Sequence, residues 1–265
     1  MRPALHLPGH FGEWLQGRLG PDGPVVLVTV AAPELGLEAF YHPRRGLSVQ
    51  GAGLSPERAR RFLARLGLKL QGQVVLRPCV APGLGTGVST ASLVALAHLA
   101  GWEGPPEVLA QACIAAEGAS DPTMFAAPDR LLWASRQGQG LGTLPRLPRY
   151  EILGGFCGGP ARTVAADTRF ADIADLVARW QRAEDLASFA ALASESAARC
   201  TALRGPAGED VSALVAKLGA LGWMRAHTGA ARGLIFAPGT VPAGAEAVLR
   251  GAGWRGVLRL QGGER

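Results

Sequence analysis

The chain is an α+β protein by its sequence, and three observations carry that reading. Short apolar runs of strand length mix with pairs of helical segments. A glycine-rich loop, Pro82-Gly83-Leu84-Gly85-Thr86-Gly87, joins one strand to one helix. The last forty residues run strand, turn, strand, helix, strand at 223–226, 233–236, 243–249 and 253–260.

From the start, strands are expected over 25–32, 37–41 and 47–50, with Pro21-Asp22-Gly23 as a turn before the first. Ser55 followed by Pro56 marks a helix start, because a serine oxygen can accept an orphan amide and proline suits the first turn. Ala59, Phe62, Leu63 and Leu66 fall on one face of that helix, so Arg58, Arg60, Arg61 and Arg65 read as its solvated side. A strand over 74–80 feeds the glycine loop, and helices follow over 89–100 and 106–117. The Gly/Pro-rich stretch 138–148 reads as a connector and domain boundary, dividing the chain into 1–145 and 146–265. Beyond it come a strand over 151–157, a helix carrying Ile173, Leu176, Val177 and Trp180, and alanine-rich helices over 185–203 and 210–221.

Composition narrows the function classes. Of 265 residues, 48% are apolar and 18% charged, which suits a globular chain with a sizeable core. The net charge of +6 could suggest nucleic acid, but the only lysines are Lys69 and Lys217 and no basic residues interleave with aromatics, so nucleic-acid binding is not expected. No apolar run is long enough to span a bilayer and the start has no signal-peptide pattern, so the expected location is cytoplasmic, without a membrane partner. Cys79, Cys113, Cys157 and Cys200 are widely spaced and read as buried free thiols.

The glycine loop is the main chemical signal. Gly83, Gly85 and Gly87, at every second position, let successive amides point at an anion, and the following helix adds its positive end. Ser89 and Thr90 suit either a helix cap or an oxygen for phosphate or its metal. The loop lacks the lysine of a P-loop and the spacing of a dinucleotide fingerprint.

Three further patches fall in order with this loop. They are Pro8-Gly9-His10-Phe11-Gly12-Glu13-Trp14-Leu15-Gln16-Gly17, then Ser120-Asp121-Pro122-Thr123-Met124-Phe125, then Arg225-Ala226-His227-Thr228-Gly229-Ala230 ahead of an apolar strand. On these residues the chain resembles the GHMP kinases, and among them the bacterial L-threonine kinases of cobalamin synthesis. The resemblance implies an N-terminal ribosomal-protein-S5-like domain carrying the phosphate loop and a C-terminal ferredoxin-like domain, with the active site between them. It implies an ATP- and Mg2+-dependent kinase acting on the hydroxyl of L-threonine or a related amino alcohol, with only a nucleotide and a small molecule as partners.

By position, Asp121 would accept or orient the hydroxyl proton, although Asp-Pro is also a turn former. Glu13, Gln16, His227 and Thr228 would bind the substrate; the plainer reading puts Glu13 and Gln16 on a strand edge and His227 in a surface turn. Ser89 would ligate the metal. Here the chain departs from the family pattern: Gly118-Ala119 stand where Glu-Pro is usual, Ser92 replaces an aspartate, and the loop is about two residues short. Glu117, one residue early, is then the candidate second metal ligand, and should lie within about 5 Å of the Ser89 hydroxyl. The rival expectation is a catalytically silent protein of the same fold that binds a metabolite or nucleotide.

Overall fold

The computed structural model describes residues 3–205 and 211–264. Its centre is one mixed sheet. In chain order the first half supplies β1 Leu5–Arg18, β2 Val25–His42, β3 Leu47–Gln50, α1 Pro56–Arg65, β4 Gly72–Pro78, α2 Val88–Leu99, α3 Pro106–Glu117, β5 Leu131–Ala134 and β6 Gln139–Thr143. The second half supplies β7 Tyr150–Phe156, α4 Ala174–Trp180, α5 Leu186–Arg204, α6 Val211–Leu218, β8 Gly222–Arg225, β9 Ala231–Phe236, α7 Ala245–Gly251 and β10 Arg255–Gly262. The strand order is β10-β7-β9-β8-β1-β2-β4-β3, with β5 and β6 added beside β2. Among the described strands, only β3 and β4 pair in parallel. Sheet and helices together form an α+β architecture.

Local chemistry explains the helix ends. Ser55 Oγ accepts the Arg58 amide at 3.2 Å to open α1, and Asp185 Oδ1 accepts the Ser188 amide at 2.7 Å to open α5. Gly118, at φ 76°, closes α3 by giving its amide to the Ile114 carbonyl. Helix α2 is apolar on every side and buried through Leu93, Val94 and Leu96, which marks it as a central element.

Several expectations change. The first patch is not a strand edge or a loop: β1 is a central strand between β2 and β8. Strand β2 continues through Pro33 where two strands were expected, absorbing the extra residues in an irregularity opposite Leu7 and Gly9. Part of the connector at 138–148 is the strand β6, paired with β5. The helix expected over 243–249 is present as α7, shifted by two residues. The α6 helix is described from Val211, so its expected start at Asp210 lies outside the described residues. All four thiols are free, but Cys79, just past β4, is exposed and Cys157 is only partly buried, so only Cys113 and Cys200 are buried as expected.

The main core crosses the middle of the chain. Phe11, Trp14 and Val28 pack with Ile152, Trp180, Phe189 and Met224. A second core under α1, α2 and α3 joins Phe62, Leu93, Val94 and Cys113 to the far side of β4 and β2. Between them opens a cleft.

Candidate active site

The cleft holds about 540 Å3 and is bounded by β1, the glycine loop, the N-terminus of α2, the end of α3, the turn after β5, the segment after β7 and the turn after β8. The glycine loop forms one wall. Gly83, Gly85 and Gly87 take φ values of 87°, 90° and 73°, which only glycine adopts readily. The loop is pinned to its neighbours by backbone bonds. Gly12 donates to the Gly85 carbonyl at 3.0 Å, His10 to the Thr86 carbonyl at 3.3 Å, and Ala231 to the Leu84 carbonyl at 3.0 Å.

At the end of the loop, α2 begins at Val88 behind Gly87, and no side chain caps it. Ser89 and Thr90 therefore serve neither as cap nor as staple. The Ser89 hydroxyl donates to Glu117 Oε1 at 2.5 Å, and Thr90 Oγ1 accepts the Asp121 amide at 3.2 Å. The first amides of α2 remain open to the cleft, a natural seat for an anion.

Glu117 stands as the sequence suggested, within hydrogen-bond distance of Ser89. Its carboxylate also receives Arg58 Nη2 at 2.7 Å. Burial pushes its pKa up, and the Ser89 hydrogen bond and the Arg58 charge offset this only in part. Arg58 is thus not on the solvated face of α1 but turns into the cleft, where burial of its side chain is offset by an acid. The Ser89 and Glu117 oxygens suit a hard cation such as Mg2+, which takes few protein ligands. Among the described residues no cluster of three acidic, histidine or cysteine side chains could hold a metal by itself.

Beside the end of the glycine loop, Asp121 is held by the loop after α3, where the Trp133 indole donates to the Ser120 carbonyl at 2.7 Å. His10 Nε2 lies 3.5 Å from Asp121 Oδ2. Burial acts to raise the Asp121 pKa, but the charges of His10, His227 and Arg136 outweigh it and hold the carboxyl below the ordinary carboxylate range. His10 responds in the opposite sense: burial acts to lower its pKa, and the Asp121 and Glu13 charges carry it above the ordinary imidazole range. The two groups form a coupled pair.

A strand has a side-chain period of two, so His10 and Glu13 should point to opposite faces. The β1 register slips between them, with three steps on β1 against two on β2, and Gly12 at φ 65° carries the extra residue. This bulge brings both side chains to the cleft. Glu13 is buried; its Oε2 accepts the His227 amide at 2.6 Å, and its Oε1 lies 3.4 Å from His227 Nδ1. Thr228 lines the cleft beside His227.

Gln16 is the one sequence candidate not brought to the cleft. It is buried farther along β1, donating to the Arg225 carbonyl at 2.8 Å while its amide bonds Ser196 Oγ of α5. Glu13, Gly83, Gly85, Gly87, Ser89, Thr90, Glu117, Asp121, His227 and Thr228 all line it. His10, Arg58 and Arg136 join them without having been selected from the sequence. His10 stood in a quoted patch, but nothing in its spacing announced a partner four residues beyond the end of α3.

Thr86 Oγ1, Ser120 Oγ, both His10 ring nitrogens and His227 Nε2 are buried without a hydrogen-bond partner. Buried polar atoms are normally satisfied, so their convergence on one cleft marks a ligand site. Removing the Glu117 charge tests the metal seat. Glu117→Gln is expected to weaken magnesium-dependent nucleotide binding by about tenfold or more, the scale on which metal sites respond to lost partners. Unchanged magnesium dependence would reduce Glu117 to an anchor for Arg58.

No protein-family model matches the chain, and no curated protein matches it. Solved structures do. The phosphomevalonate kinase of Streptococcus pneumoniae aligns with a TM-score of 0.64 at 10% identity over 97% of both chains. The L. major mevalonate kinase in complex with R-mevalonate aligns at 0.59 and 14% identity over 98% of both. The homoserine kinase of Cytophaga hutchinsonii aligns at 0.53 and 17% identity, over 100% of this chain and 96% of that one. At such identities the likeness is one of fold, and the fold of this chain is that of the GHMP kinases.

Proposed function

We propose that the protein is an ATP-dependent kinase that phosphorylates the hydroxyl of a small molecule. One observation supports this most: a left-handed glycine loop runs into an uncapped helix N-terminus, and a His10–Asp121 pair stands beside them in the same cleft. Phosphoryl transfer needs mainly positioning and charge balance. In this reading the loop from Gly83 to Thr90 cradles the triphosphate. Ser89 and Glu117 would hold Mg2+, which when bound balances the phosphate charge.

Asp121, ionised at neutral pH, accepts the proton of the acceptor hydroxyl as its oxygen bonds the terminal phosphorus and the bond from that phosphorus to the ADP oxygen breaks. His10, with its raised pKa, steadies the carboxylate until proton transfer. Glu13 fixes the His227–Thr228 turn and supplies negative charge at the acceptor end.

Within this activity, the patches shared with L-threonine kinases favour L-threonine or a related amino alcohol as the acceptor, with the phosphorylated product serving cobalamin synthesis. The division at residues 145 and 146, between β6 and β7, belongs to the same reading. A silent binder of the same fold is the alternative, and the Arg58 cation already seated on Glu117 is the observation that favours it. ADP release from MgATP across amino acids, amino alcohols and hydroxy acids separates the two. Turnover with at least one acceptor supports the kinase, and nucleotide binding with no turnover supports the binder.

A further inference from the structure

Arg136 stands in the turn after β5, on the Asp121 side of the cleft. Its backbone position is set by the neighbouring Ser135. That residue donates its amide to the Val25 carbonyl at 3.2 Å and accepts the Ser120 amide at 2.9 Å, so the arginine is tied to the segment that carries Asp121. The guanidinium is poorly matched. Its Nε is buried without a partner, and one Nη reaches only the Ser135 hydroxyl, at 3.4 Å.

Among the described residues no acid lies within ion-pair distance of Arg136. The two acids whose charges act on it are engaged elsewhere, Asp121 with His10 and Asp167 with Arg204. Burial lowers the Arg136 pKa, and the charges of Asp121 and Asp167 only partly oppose this. A half-buried cation with open donors is costly unless something occupies the fork. A guanidinium fork fits a carboxylate or a phosphate. The triphosphate seat has its own donors in the glycine loop, the α2 amides and Arg58.

We propose that Arg136 receives an anionic group, carboxylate or phosphate, carried by the acceptor, so that the acceptor is an anionic alcohol. This rests on the kinase reading for the word acceptor, but the binding site can be tested without turnover.

Calorimetry without nucleotide would compare anionic alcohols with counterparts lacking the anion. The anionic set is L-threonine, L-homoserine, (R)-mevalonate and glycerol 3-phosphate; the others are 1-amino-2-propanol, ethanolamine and glycerol. The carboxylates and the phosphate distinguish the two anion types. At least one anionic alcohol is expected to bind, with its counterpart weaker by about tenfold or more. Arg136→Ala should abolish the difference, Arg136→Lys should retain part of it, and MgATP affinity should hold in both.

The proposal is overturned if no anionic alcohol binds the wild type, if the counterparts bind equally well, or if the substitutions weaken MgATP instead. ADP release measured on the same panel keeps the two readings apart. Arg136-dependent binding without ADP release removes the kinase and leaves the anion site. Turnover of an uncharged alcohol that ignores Arg136 removes the anion site and leaves the kinase.

Discussion

Asp121→Asn is expected to lower turnover by roughly two orders of magnitude or more while leaving MgATP binding close to wild type, as for a group that acts in the chemical step. Asparagine keeps the shape of the side chain and its place beside His10, so the loss measures the missing proton acceptor rather than a disturbed cleft. Because its neighbours' charges, His10 first, hold the Asp121 carboxyl below the ordinary carboxylate range, it is ionised at neutral pH, and the acid limb of kcat/KM should lie lower than for an ordinary aspartate. His10, raised above the ordinary imidazole range by the Asp121 charge, loses its charge only as pH rises through that raised value. Near-normal turnover in the variant would reduce Asp121 to a turn residue before Pro122.

Gly85→Ala should act on the glycine loop, through structure rather than chemistry. A β-carbon at Gly85 would meet the Ala226 β-carbon at 2.5 Å and the Thr228 carbonyl oxygen at 3.0 Å, on a backbone at φ 90°. Neither neighbour can swing away, since one is a methyl on a packed turn and the other is backbone. Strain at such a position costs about 1–3 kcal/mol, and the crowding adds to it by pushing the loop from the turn after β8. MgATP binding is expected to fall below detection, with a lowered melting temperature. Gly101→Ala is the control, because Gly101 has φ 87° but nothing within 4 Å of its would-be β-carbon. The control carries the strain without the crowding; equal loss of nucleotide binding in both variants would show that the loop's close approach to Thr228 is unimportant.

Much of the helical framework was legible because its signals are local. Ser55 and Asp185 cap where serine and aspartate should, Pro106 opens α3, and the apolar stripe of α1 reads at helical spacing. The glycine loop was legible as a turn between strand and helix, since clustered Gly and Pro punctuate the chain, but an ordinary connection reads the same way and the family patches were needed to single it out. Strand β1 was not legible. Its Pro8, Gly9, Gly12 and Gly17 look like turn chemistry, yet the glycines answer to crowding: a β-carbon at Gly9 would strike the Leu35 carbonyl at 2.7 Å, and one at Gly17 would meet Ile173 at 2.6 Å.

Those contacts come from residues distant in the chain, so no local pattern reports them. The same holds for the site. Asp121, Ser89 and Glu117 could be chosen because they sit in recognisable patches. His10 needed the β1 bulge to be known, Arg58 needed the approach of α1 to the end of α3, and Arg136 needed the hairpin of β5 and β6. Gln16 shows the converse: a residue two turns of logic from Glu13 in sequence serves the packing of β1 on α5 instead.

The meeting of β1 with β8 is one rung of pairing, Glu13 opposite Arg225, yet the principal core spreads across it from Val28 to Leu260. Thermal unfolding should therefore find a single cooperative unit. Neither half owns enough of the shared core to persist when the other melts, so damage on either side lowers one common transition. A ligand gripping the cleft from both walls would by the same logic raise that transition for the entire chain.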